Sequence, residues 1–122
     1  MDVAPDRSVR QDLSNAIVSF YSEKFGRGPT KSKAYIEDTH ATVILGEVQT
    51  PVERTLAANG QEALVKEVRR RVKAVFRDEL EALVERTTGR AVLAMHADHD
   101  PATDTSIYVF LFANDRSNRS RP

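Results

Sequence analysis

The sequence predicts a two-layer α/β (α+β) domain. Its element order is α-β-β-α-α-β-β, with a four-stranded mixed sheet carrying long helices on one face. Three observations predict it. Apolar residues recur at three- and four-residue spacing over 8–25 and again over 61–88, the signature of amphipathic helices. Two pairs of short apolar-rich segments, 31–38 with 40–48 and 90–98 with 105–113, are each joined by a few polar turn residues, the signature of hairpins. A helical crossover separates the two pairs. Its flanking strands, if neighbours, would be parallel with a right-handed connection.

In the first helix, Leu13, Ala16, Ile17, Phe20 and Tyr21 form one stripe. Gly26 stands where a helix takes a left-handed terminal residue, and Lys24 lies in the last turn, favourable to the macrodipole. Pro29 forbids continuation and pushes Gly28 toward extended geometry. Strand one follows over 31–38, Asp38-Thr39 is a tight turn, and strand two covers 40–48. Thr50-Pro51-Val52-Glu53 is a helix start with a cap, a proline in the first position and a capping box. That short helix stops at Asn59-Gly60. The next is read as one helix to Thr88, ended by Gly89. At 1.5 Å per residue it would be roughly 40 Å long, more than the diameter of a small domain, and would have to cross the whole sheet, overhang it or pack on a second subunit.

Strand four is the most apolar. Ile107, Val109 and Leu111 face one way, and Tyr108, Phe110 and Phe112 the other, as in strands buried on both faces. With the helices on one side, the aromatic side is expected to lie bare. A bare aromatic face of that size predicts a homodimer. Residues 1–7 are read as a flexible N-terminus, 8–113 as one domain and 114–122 as a disordered polar tail.

The 122 residues suffice for one self-standing core. Lys+Arg and Asp+Glu balance at 18 each, so no global field steers the chain to nucleic acid or anionic lipid. With no cysteine, disulfides, thiolate catalysis and cysteine-based metal sites are excluded. This composition fits a reducing cytoplasm. The first residues carry no apolar run of signal-peptide type, and no stretch approaches the roughly 20 apolar residues of a membrane span.

Four constellations bear on function. Gly26, Arg27, Gly28, Thr30 and Lys31 combine glycine-rich backbone with two cations, a nest suited to a small anion. A helix stop with a turn also explains both glycines and the proline. The run is not a P-loop, because an extended segment follows it. His96, Asp98 and His99 supply imidazole and carboxylate for a divalent ion or a metal-dependent enzyme. A metal site needs three or four convergent ligands, however, and the spacing matches no known set. Lys66, Arg70, Lys73 and Arg77 could track phosphates on helix 61–88. Glu62, Glu67 and Glu81 lie four residues from Lys66, Arg71 and Arg77, which reads as a solvated salt-bridged face without stacking aromatics. No acid, base and nucleophile set is recognisable. The reading is a non-enzyme without metal or cofactor.

Leu13-Ser14-Asn15-Ala16-Ile17-Val18, Phe25-Gly26-Arg27-Gly28-Pro29-Thr30-Lys31, Thr50-Pro51-Val52-Glu53, Thr88-Gly89-Arg90-Ala91-Val92 and Ile107-Tyr108-Val109-Phe110 together resemble the MpsC-like family. The resemblance spans about Val9 to Leu111. That family of short bacterial proteins takes its name from a sodium-linked, membrane-potential-generating system. The resemblance implies a cytoplasmic accessory or regulatory partner of a membrane complex, with no catalytic residues to carry over. It adds weight to 26–31 as a surface for a protein partner or small anion.

Overall fold

The structure, a computed structural model, describes residues 5–113. Helix α1 (Pro5–Phe25) leads into the hairpin β1 (Lys31–Ile36) and β2 (His40–Gly46). Helices α2 (Pro51–Ala58), α3 (Glu62–Val75) and α4 (Arg77–Thr88) follow, then the hairpin β3 (Val92–Asp100) and β4 (Thr105–Phe112). α1 begins inside the segment expected to be flexible. Residues 1–4 and the expected tail 114–122 lie outside the described residues.

Most of the punctuation acts as the residue types dictate. Gly26 and Gly89 adopt φ of 79° and 73° as left-handed helix stops. The Thr50 side chain accepts from the backbone of Glu53, and the Glu53 side chain accepts from the backbone of Thr50, closing the capping box. The turn at Asp38-Thr39 is closed by Glu37 N–H to the His40 carbonyl at 2.8 Å.

The sheet corrects the expected topology. Its order is β1-β2-β4-β3, and every neighbouring pair is antiparallel. β2 and β3 do run in the same direction, but β4 lies between them. The sheet is therefore antiparallel, not mixed. The physical reason is burial: the most apolar strand takes a central position, and β3, carrying His96, Asp98 and Asp100, takes an edge.

The long helix is also corrected. It breaks at Phe76 (φ −90°, ψ 3°) into α3 and α4, so no 40 Å rod overhangs the sheet. No glycine or proline marks the break. The Phe76 ring instead makes edge-on contacts with Phe20 and Phe25, with centroids 5.3 and 6.2 Å apart. Asp78 and Glu79 then fill the first turn of α4, where the dipole favours acid.

The third correction concerns the aromatic side of β4. Tyr108 and Phe110 are fully buried and Phe112 nearly so. They pack with Val43 and Leu45 of β2, Leu13 and Ile17 of α1, and Leu80 and Val84 of α4. The helices chose this face because its larger side chains bury more apolar area, at about 1.5–3 kcal/mol each. The face left bare is the other one. Ile107 is 43 % exposed, Tyr35 on β1 is 38 % exposed, and Ile44, Val109 and Leu111 are half-buried.

Candidate functional site

Segment 47–50, between β2 and α2, is where the chain's buried polar groups converge. Arg27 donates to the carbonyls of Glu47 (3.3 Å) and Gln49 (2.8 Å), Arg69 to that of Val48 (2.9 Å), and Arg54 to that of Gln49 (2.6 Å). From the other side, the Asp104 carboxylate accepts the backbone N–H groups of Val48 and Gln49 at 3.0 and 2.9 Å. Glu47 and Asp104 both have left-handed backbones, with φ of 60° and 55°. Backbone that forms no helix or ladder must find partners elsewhere. Here three guanidiniums, the carboxylates of Asp104 and Glu53 and the Asp104 carbonyl supply them.

The loop 26–31 closes against this segment. A Cβ on Gly28 would lie 2.3 Å from the Ser22 hydroxyl and 3.0 Å from the Val18 carbonyl, so close approach to α1 requires glycine there. Thr30 donates to the Glu47 carboxylate, and the Lys31 ammonium lies 3.8 Å from it. The Thr30 hydrogen bond, then the Lys31 charge, hold the Glu47 carboxyl below its usual range. The anion facing these two side chains is thus the chain's own Glu47, and Arg27 is engaged on carbonyls.

Behind the segment lies a closed network. Arg69, 2 % exposed, makes a two-pronged pair with Glu53 at 2.6 and 2.8 Å. Its guanidinium also stacks over the Phe25 ring at 5.0 Å. Burial raises the Glu53 pKa, but the hydrogen bonds from Arg69 and the Thr50 backbone outweigh it, and the net shift is downward. Gln49 reaches inward, its Oε1 2.8 Å from His99 Nε2, while His99 Nδ1 is 2.7 Å from the Ser106 hydroxyl. The buried Lys73 ammonium points at the same hydroxyl from 3.5 Å and lies over the Tyr108 ring. Donors and acceptors balance with one assignment. Lys73 donates to Ser106, Ser106 donates to Nδ1, and the Nε2 proton goes to Gln49. That assignment requires neutral His99. Its pKa is pushed down to about 4, by burial first and then by the charges of Lys73 and Arg69. Burial, then the charge of Arg69, lowers Lys73 to about 8.

The Ser106–His99–Gln49 chain has the connectivity of a nucleophile, a base and an orienting group. Ser106 and His99 are only 1 and 2 % exposed, and both ring nitrogens are bonded. The arrangement orders buried polar atoms. It presents no reactive oxygen to a substrate.

The remaining sequence candidates separate. His96 and Asp98 lie on the outer face of β3, opposite Val109 and Ile107. His99, expected in a loop, is a strand residue on the inner face. The three do not converge, and among the described residues no group of three His, Cys, Asp or Glu is placed to hold a metal. Of the basic run, Arg70 and Arg71 share Glu67, Arg77 pairs with Glu81 at 3.3 Å, and Lys66 with Asp98 at 3.6 Å. Arg69 and Lys73 face the core. Sequence reasoning missed the buried Arg69–Glu53 pair and the His99–Ser106 contact. Helical spacing does place Arg69 four residues after Val65, on the buried side.

α3 also carries an exposed apolar stripe. Leu64, Val68 and Val75 are 46, 41 and 75 % exposed. At 100° per residue they fall on one side of the helix, with Arg71 among them. No helix among the described residues is long and apolar enough to cross a membrane.

Residues 6–114 match the family model described as "Na+-translocating membrane potential-generating system (MpsC)". No curated protein and no solved structure matches.

Proposed function

The chain belongs to the MpsC family, and from that membership we propose that it is a non-enzymatic accessory module of a Na+-translocating, membrane-potential-generating system. It acts from the cytoplasmic side and docks on a membrane-embedded protein component. The observation that carries the reading is the α3 stripe. Three large apolar side chains lie open to water on a helix whose other side is well packed, and contiguous exposed apolar surface marks an interaction site. Arg71 within the stripe, which shares the exposed Glu67 with Arg70, can exchange it for an acidic residue on the partner. The absence of chemistry in the reading is supported by the state of Ser106, His99 and Lys73, which are buried and hydrogen-bonded to one another and to Gln49.

Membranes that contain the Na+ system, membranes that lack it and protein-free liposomes are mixed with the purified chain and sedimented. Wild type is expected to pellet only with the first. Leu64→Glu/Val68→Glu, substitutions at exposed positions, is expected to pellet at least tenfold less while keeping its circular dichroism spectrum. Equal pelleting of wild type and variant, or wild-type binding to liposomes alone, contradicts the reading.

A further inference from the structure

The outer face of the sheet is a second unpartnered surface, distinct from the α3 stripe, and its pattern selects an occupant. We propose that two copies of this chain pack outer face to outer face about a two-fold axis parallel to the strands, with β1 of each protomer over β3 of the other.

The register fixes what each row of that face displays. One row crosses the sheet as Lys33, Ile44, Ile107 and Asp98. The next reads Lys31, Gly46, Thr105 and Asp100. Each runs from a cation on the β1 edge, through small or apolar residues, to an anion on the β3 edge. A row with opposite charges at its ends is complementary to its own reversal. A two-fold axis along the strands produces that reversal, because it keeps position along the strand and exchanges the edges. Lys33 then faces the partner's Asp98, Lys31 faces the partner's Asp100, and Ile44 meets the partner's Ile107. A two-fold axis across the strands would set β1 over β1 and leave these charges without opposite partners.

The dimensions agree. Stacked sheets pack about 10 Å apart, roughly the span of a lysine and an aspartate reaching toward each other. Four strands at about 4.8 Å spacing and eight residues at about 3.3 Å cover on the order of 500 Å² per copy, or about 1,000 Å² for the pair, at the lower bound of specific interfaces. The existing ion pairs of these charges, Glu47 with Lys31 and Lys66 with Asp98, are exposed at 3.8 and 3.6 Å, and Asp100 accepts the exposed Thr103 hydroxyl at 2.8 Å. Such pairs contribute little and exchange readily. The contact is isologous, as closed two-fold assemblies are.

Sedimentation equilibrium of the full chain from low to high micromolar concentration tests this. Wild type is expected to approach twice the 13.6 kDa chain mass. Ile107→Glu, at an exposed position, is expected to remain at the single mass. Lys33→Asp and Asp98→Lys, each alone, are expected to weaken association at least tenfold, and the double exchange to restore most of it. A wild-type chain that stays monomeric overturns the proposal, as does a dimer indifferent to Ile107→Glu or a double exchange no better than the singles. None of these outcomes bears on docking through α3.

Discussion

The two faces of the sheet are made by the same four strands, and in β4 by alternate residues of one octapeptide, yet they have opposite fates. Tyr108 and Phe110 are sealed under α1 and α4, while Ile107, next to Tyr108 in the chain and paired with Ile44 of β2, is open to water on the other face. On the inner face, polar groups survive only when fully paired, as in the Arg69–Glu53 and His99–Ser106 contacts. On the outer face, charges sit at the two edges with an apolar centre between them. The difference teaches that apolarity alone does not tell a folding surface from a binding one. What does is whether the chain supplies its own cover.

Mutations sharpen that contrast. Phe110→Ala, in the inner face, is expected to cost about 3–5 kcal/mol in urea unfolding, through lost transfer energy and the cavity left behind. Arg69→Ala is expected to cost about 3 kcal/mol, because it leaves the part-buried Glu53 without its counter-charge and removes the buried donor to the Val48 carbonyl. The His99 network is expected to show in the pH dependence of the unfolding midpoint. His99 falls from an ordinary 6.5 to about 4 in the fold, so below 6.5 the unfolded chain binds the extra proton. Its contribution is complete above pH 6.5 and is lost as pH falls toward 4, about 3 kcal/mol in all. His99→Gln should flatten that window. Lys73 obeys the same sign between 8 and 10.5, where stability should rise with pH. Smallest of all, Ile107→Ala in dilute protein is expected to change stability by less than about 1 kcal/mol, the usual range for an exposed site. A cost for Ile107→Ala equal to that for Phe110→Ala would erase the distinction between the faces.

Much of this fold was legible in the sequence because local chemistry dictated it. Gly26, Gly89, the Thr50–Glu53 capping box and the Asp38-Thr39 turn each act through neighbours a few residues away. What was not legible depends on partners far along the chain. Strand order turned on whether β3 or β4 lies beside β2. The break at Phe76 came from rings on α1, with only Asp78 and Glu79 as a faint sign of a second helix start. The side of β4 that the helices would cover could not be read from alternation, since both sides are apolar. The site was less legible still. Arg27 and Lys31 look available in the sequence, and only the fold brings the Glu47 carboxylate to Lys31 and the carbonyls of Glu47 and Gln49 to Arg27.

The central claim is that the inner face holds the fold while the outer face joins two copies. Methyl resonances followed through a dilution series test it most directly. The account predicts that Ile44, Ile107 and Val109 shift with protein concentration, while Val43, Leu80 and Val84 do not. Spectra unchanged across the series, or shifts confined to Leu64, Val68 and Val75 on α3, would contradict it.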